Sequence, residues 1–194
     1  MSRIVSVWLK SWPIARLLRS QARTASGAPA DGIDPRRPIV LVASGTGGAR
    51  LVALNAAAWR CGLAPGDLLS NARSKVLELL SYDSDPAADD VALRRLALWC
   101  QRYTPVVATW DAASGADGLF LDITGCAHLF GGEAALLADL ARRLRRLGLQ
   151  PRLAVADTAG AAWAMARFSF LPPEGEGGAK RRMGDGATLA ISIG

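Results

Sequence analysis

The residue types best suited to chemistry gather in residues 117–132 of this 194-residue chain, which read Asp-Gly-Leu-Phe-Leu-Asp-Ile-Thr-Gly-Cys-Ala-His-Leu-Phe-Gly-Gly. The centre, 119–123, is a short apolar run holding one carboxylate, with glycine on both sides. A buried strand reads this way when it delivers a single acid to the end of a sheet. Asp117 and Asp122 are five apart, so on a regular strand they point to opposite faces. Whether another acid joins Asp117 decides whether the chain is an enzyme.

Other chemistries find less support. Cys61, Cys100 and Cys126 are far apart, no Cys-x-x-Cys occurs, and His128 is the one histidine. A zinc site of about four closely spaced ligands is therefore not expected. Cys126 and His128 would face the same way only on a strand, and the surrounding glycines argue for a turn. The run Ser44-Gly-Thr-Gly-Gly48 invites a phosphate-loop reading. It lacks Gly-Lys-Ser/Thr, and Arg50 stands where a dinucleotide fingerprint needs its third glycine, so a hairpin turn is the better assignment.

The composition is that of a folded protein, 51% hydrophobic and 21% charged, enough for one sizeable domain or two small ones. No apolar run approaches the roughly 18 residues of a membrane helix, and the N-terminal apolar stretch is too short for a signal peptide. A cytoplasmic location is expected. The net charge of +6 favours an acidic partner, nucleic acid first. Because the segment after Phe168 is neutral, all of the excess lies in the part that looks folded.

The elements that must position these residues follow from periodicity. Ile4 to Leu9 reads as a strand, 13–19 as a helix begun by Pro13, and 20–37 as an exposed connection. Residues 39–43 and 50–54 form a hairpin. Two short helices follow, 55–61 closed by Gly62 and 67–75 capped by Asp67, then a strand over 76–82. A helix opens at Pro86 and runs to 103, with Leu93, Leu96, Ala97 and Cys100 on one face. Strands at 106–110 and 119–123, a helix from 133 with Leu136, Leu137, Leu140, Leu144 and Leu147 inward, a strand at 152–156 and a helix at 158–168 complete the series. Arg142, Arg143, Arg145 and Arg146 crowd the outer side of the Leu-rich helix, which reads as a solvated face ahead of a phosphate-binding stripe. The order is βαββαβ, interrupted after the first helix: an α+β, ferredoxin-like sheet with helices on one face and a small inserted α+β lobe.

Three stretches resemble the Y-family (translesion) DNA polymerases. Residues 61–73, Cys-Gly-Leu-Ala-Pro-Gly-Asp-Leu-Leu-Ser-Asn-Ala-Arg, are similar to the family's fingers helix pair. Tyr103-Thr-Pro-Val106 followed by 118–125 is similar to its palm signature, and 152–167 to the palm segment after it. Residues 121–133 and 156–163 are similar to the ImuB branch almost residue for residue. The likeness covers the palm and fingers part, roughly residues 3–168. It implies a palm-like domain from 1–19 and 76–168, and a fingers-like lobe over 38–75.

The resemblance also implies what is missing. Two Mg²⁺ about 3.5–4 Å apart need clustered carboxylates, and the family's four positions fall here at Trp8, Lys10, Asp117 and Gly118. Asp117 alone is retained, and Asp122 aligns with a structural aspartate. The triphosphate grip falls at Ala56 and Trp59, with its late lysine near Ala159. No catalytic residue, metal or cofactor is expected on this basis. The implied role is a non-catalytic, DNA-associated adaptor in SOS-induced translesion synthesis, joining a RecA-like accessory protein, the sliding clamp and an error-prone replicative-type polymerase. Candidate DNA contacts are Arg50, Arg60, Arg73 and Lys75.

Two other readings stand beside it. One is an active polymerase using Mg²⁺ on Asp117, Asp122 and Asp111; the other is an interaction module without a DNA role. The family's thumb and little finger have no counterpart after Phe168, where a Gly-rich tract without periodicity follows. Residues 169–194 are expected to be a largely disordered tail of a truncated or frame-shifted product, and DNA binding without the little finger to be weak and salt-sensitive.

Overall fold

The structure, a computed structural model, describes residues 2–24, 33–110, 117–168 and 189–192. In chain order the elements begin β1 (Ile4–Leu9), α1 (Trp12–Thr24), β2 (Ile39–Ala43), β3 (Arg50–Leu54), α2 (Ala56–Arg60), α3 (Leu69–Lys75) and β4 (Leu80–Asp83). They continue with α4 (Pro86–Cys100), β5 (Val107–Trp110), β6 (Gly118–Asp122), α5 (Glu133–Arg146), β7 (Pro151–Ala156), α6 (Ala159–Phe168) and β8 (Leu189–Ser192). The chain divides into two compact units, Met1–Lys10 with Val91–Gly194, and Ser11–Asp90.

In the first unit the strands lie in the order β5-β6-β1-β7-β8, each antiparallel to its neighbours. The β1, α4, β5, β6, α5, β7 succession is the expected βαββαβ winding. Side chains alternate across a strand, so Val5, Val7 and Leu9 share one face of β1 and all are buried. Leu119 and Leu121 stand beside them on β6, and Leu153 and Val155 on β7. A face of that composition needs an apolar cover. Helix α5 packs against β7 with Leu136, Leu137, Leu140 and Leu144 fully buried.

Polar ties fix this layer. Arg3 grips Glu133 with Nε and Nη2, both at 2.6 Å, and reaches Asp157 at 2.8 Å through Nη1. A two-pronged guanidinium–carboxylate bond of this kind restricts orientation as well as distance, and it anchors the start of β1 to the first turn of α5. Tyr103, buried beyond the end of α4, donates its hydroxyl to Asp139 on α5 at 2.7 Å. That bond, with Arg143 and Arg142 beside it, holds the Asp139 carboxyl below its ordinary range. Burial pushes the Cys100 thiol up to about 12, so it is an inert core group.

Several expectations need correction. Helix α1 runs on to Thr24 and takes in the first five residues of the expected connection, because Ser-Gln-Ala-Arg-Thr carries no helix breaker. Asp67 does not cap α3: its carboxylate accepts from the Ala64 N–H at 2.9 Å, and Leu68 is the cap position. Strand β4 starts at Leu80 rather than 76, since 77–78 form a turn closed by the Leu79 N–H on the Val76 carbonyl at 3.3 Å. Helix α4 ends at Cys100, with Tyr103 beyond it. Helices lie on both faces of the sheet, not one: α6 covers the face opposite Val5 and Val7. Residues 189–192, placed in a disordered tail, form β8 and pair with β7, whose outer edge would otherwise expose its backbone groups. Residues 169–188 and 193–194 lie outside the described residues. The unit boundaries also depart from 38–75: α1 and β4 belong with the fingers-like strands.

In the second unit the order is β3-β2-β4, with β2–β3 antiparallel and β2–β4 parallel. The sheet is buried on both sides. Val40 and Val42 pack with Leu51, Leu54, Ala58, Leu63 and Ala72, while Ile39 and Leu41 pack with Ile14 of α1. Glycines at 47 and 48 turn the hairpin with φ of 90° and 110°, conformations open to glycine at little cost. Buried Asn55 joins the pieces. Its Oδ1 accepts from Ile39 N–H and Ala58 N–H, while Nδ2 donates to Pro35 and Arg37 carbonyls. Among the described residues no helix is long and apolar enough to cross a membrane.

Two outcomes follow. Asn55→Ala removes a helix cap and strands two buried N–H groups, and should cost about 2 kcal/mol, read as a lower urea midpoint. Tyr103→Phe should cost about 1 kcal/mol near pH 7. Asp139 has a depressed folded pKa, so this contribution is present above the ordinary carboxylate value of about 3.9 and fades as pH falls through the folded one. An equal deficit at pH 7 and pH 3 would refute the assignment.

Candidate functional site

The face of the main sheet opposite Val5 and Val7 carries one row of residues across four strands. Trp110 on β5 is paired with Gly118 on β6, Gly118 with Trp8 on β1, and Trp8 with Arg152 on β7. The next row is Ala108, Phe120, Ser6 and Ala154. Ser6 and Ala154 are both fully buried, and their small size lets α6 lie close over β1 and β7.

Asp117 stands at the edge of the first row, where its backbone carbonyl accepts from the Leu9 N–H at 2.8 Å. Both of its carboxylate oxygens are engaged. The Trp8 indole N–H donates to Oδ2 at 2.8 Å, and the Arg167 guanidinium from α6 donates to Oδ1. Arg167 has 9% of its side-chain surface exposed. Its guanidinium carbon lies 5.5 Å from the Trp8 ring centre and 4.7 Å from that of Trp163. Burial draws the Arg167 pKa down and Asp117 opposes the shift, so the ion pair offsets the desolvation of the guanidinium. Arg152 adds a second guanidinium, its carbon 5.6 Å from the Trp8 ring centre, and donates to the Arg167 carbonyl at 3.1 Å.

Gly118 completes the arrangement by having no side chain. A Cβ placed there would lie 2.6 Å from the Val7 carbonyl oxygen, a backbone atom that cannot swing aside. Asp122 lies four residues along β6, roughly 13 Å away. Its carboxylate accepts from the Thr124 N–H at 3.0 Å, and bonds from Thr124 hold its pKa down. It does not join Asp117, and Asp111 lies outside the described residues. Cys126 and His128 do not pair either: the thiol bonds the Thr124 carbonyl at 3.7 Å, and His128 sits exposed in a 3₁₀ turn over Ala127–Phe130. Lys10 is exposed one residue beyond β1.

The four basic candidates all fall in the second unit. Arg50 donates to the Gly66 carbonyl at 2.7 Å, Arg60 to Ala56 at 3.3 Å, and Arg73 to Ser81 at 2.9 Å. Arg50 bridges to Leu68 at the start of α3, whereas Arg73 and Lys75 close its far end, roughly 10 Å on. Ala56 and Trp59 both lie exposed on α2, and offer no cation or hydroxyl for a triphosphate.

A family model described as the impB/mucB/samB family matches residues 32–167. The ImuB protein of Caulobacter vibrioides strain NA1000 / CB15N is 53% identical over 118 residues, as is that of strain ATCC 19089 / CIP 103742 / CB 15. The match covers 59% of this chain and 25% of either relative, so the chain spans about a quarter of their length. Among solved structures, an insertion ternary complex of Dbh DNA polymerase superposes with a TM-score of 0.65 at 12% identity. It covers 84% of this chain and 45% of that one. DinB from Sulfolobus solfataricus gives 0.65 at 14% identity, over 87% and 46%. These likenesses establish the palm-and-fingers fold.

Two-metal chemistry does not fit the residues here. Two divalent ions need several carboxylate oxygens converging within a few ångströms. This row offers two indoles, a glycine and an arginine, and one carboxylate already bound to a guanidinium. Among the described residues no three His, Cys, Asp or Glu side chains group in a way that could hold a metal ion.

Arg167 was the residue that spacing did not disclose. It lies 50 positions from Asp117, and the one sequence cue was an indole on a buried strand whose N–H requires an acceptor. Placing alanine at Gly118 should cost about 1–3 kcal/mol through the Val7 clash. Glutamate there should destabilise at least as much and restore no metal site. Thermal unfolding tests this, and an unchanged midpoint for Gly118→Ala would refute the close approach.

Proposed function

Because the chain belongs to the impB/mucB/samB family, we propose that it is a non-catalytic, polymerase-like adaptor of translesion DNA synthesis, acting on DNA in SOS-induced mutagenic repair in the cytoplasm. The observation that carries this reading is the state of Asp117. The one carboxylate at the family's metal-binding positions is neutralised by Arg167 and bonded to Trp8. Nucleotidyl transfer needs that carboxylate to hold cations, and a guanidinium already in contact would have to be expelled first.

DNA association is supported by the net charge of +6, and by solved relatives in fold that include a ternary complex of a DNA polymerase. Arg50, Arg60, Arg73 and Lys75 are the backbone contacts proposed. Lys75 is exposed and has no partner among the described residues, while the three arginines would exchange neutral backbone or hydroxyl acceptors for phosphate. A charged acceptor makes the stronger bond. By kinship with ImuB, the protein partners proposed are a RecA-like accessory protein, the sliding clamp and an error-prone replicative-type polymerase.

Primer extension on damaged and undamaged templates, with Mg²⁺ or Mn²⁺, should show no incorporation above background. Incorporation that Asp117→Asn abolishes would overturn the reading. Fluorescence anisotropy with primer–template DNA should show weak binding that falls steeply with salt, and charge removal at Lys75 should lower the salt slope by about one.

A further inference from the structure

Beside Asp117, the same sheet face opens into a cleft of about 190 Å³ lined by Trp110, Phe120, Ala159, Gly160 and Trp163. Its walls are rings. Trp110 stands edge-on to Phe120 with centroids 5.7 Å apart, and is tilted against Trp163 at the same distance. All three rings are half-buried, with part of each still open to solvent. Alanine and glycine at the start of α6 leave the space that a larger residue would fill. The volume is below the roughly 300 Å³ at which drug-sized ligand pockets begin, so it suits one ring system rather than a whole nucleotide.

Two further features narrow the occupant. The Trp163 indole N–H is closed off from solvent, so it offers the cleft no donor, and the lining is apolar. A flat ring fits walls of this kind by stacking on them. Cations also outnumber acids beside the cleft. The Arg167 guanidinium lies 4.7 Å from the Trp163 ring centre, Arg152 continues the row past Trp8, and Lys10 is exposed next to it. Aromatic platforms bordered by cations are how unpaired strands are held, through stacking that tolerates any base.

We propose that the Trp110–Phe120–Trp163 cleft takes one unpaired base of single-stranded DNA, without a metal ion. The strand's phosphates run toward Lys10 and Arg152 while Arg167 remains paired with Asp117. This rests on the DNA-associated reading above and gives it a specific ligand: the strand left single beyond a primer end.

The test uses the whole chain, a labelled oligothymidylate of about twelve nucleotides, low salt and excess EDTA. Binding should persist in EDTA, weaken about tenfold or more in Trp110→Ala, and recover in Trp110→Phe, with circular dichroism confirming that each variant is folded. Should Trp110→Ala unfold, Gly160→Leu, which fills the cleft from α6, must produce the same loss. If primer–template duplex binds but oligothymidylate affinity is unchanged by both variants, the cleft proposal fails and DNA association stands. Absence of binding to either DNA defeats both. Competition by free thymidine monophosphate at equal nucleotide concentration would assign the cleft to a free nucleotide. Displacement of the oligothymidylate by a tryptophan-bearing peptide, with duplex binding unaffected, would assign it to a protein partner. Either result overturns the proposal.

Discussion

Strand β1 is hydrogen-bonded along both edges and covered on both faces, and this enclosure constrains the rest of the main unit. Val5, Val7 and Leu9 point into the layer that α5 covers, while Ser6 and Trp8 point toward α6. Any residue on such a strand must find its space and its hydrogen-bond partners among neighbours already in place. Trp8 brings the largest side chain and one donor. Gly118 beside it offers no side chain at all, and Asp117 supplies the acceptor. A carboxylate drawn into that half-enclosed position then needs a counter-charge, which Arg167 provides from α6.

The same positions can therefore support opposite electrostatics on one fold. A cluster of carboxylates repels itself until cations enter, so a metal site is an unfilled demand built into the protein. Here the demand is met from within, by a guanidinium stacked between two indoles. The sheet order and surrounding helices are those of the palm-and-fingers fold, while the groups at its centre are an ion pair and two indoles. The face that would have held charge now presents aromatic rings bordered by arginine and lysine, a surface better matched to bases and phosphates than to free cations.

Much of the architecture was legible from periodicity because burial is encoded locally. The leucines of α5 repeat at helical spacing and four of them are fully buried, and the glycines at 62 and 148 both take positive φ at helix ends. The errors were of another kind. Helix α1 outran its expected end because nothing in 20–24 breaks a helix. Asp67 bonded backward to Ala64 rather than capping α3, a choice between two nearby N–H groups that local sequence leaves open. Strand β8 was missed because a four-residue apolar segment after a Gly-rich tract acquires its strand identity only from the β7 edge beside it.

At the candidate site the division is sharper. The sequence by itself determined, through the resemblance its motifs carry, that Asp117 stands with Trp8, Lys10 and Gly118 rather than with further acids, since residue identity at a motif position needs no coordinates. Only the tertiary structure decided what became of Asp117. Its pairing with Trp8 and Arg167 joins positions separated by 109 and 50 residues, and the 2.6 Å approach of Val7 to position 118 arises from strand register. Such contacts are set by how β6, β1 and α6 pack together, a relation between distant segments that no local pattern carries.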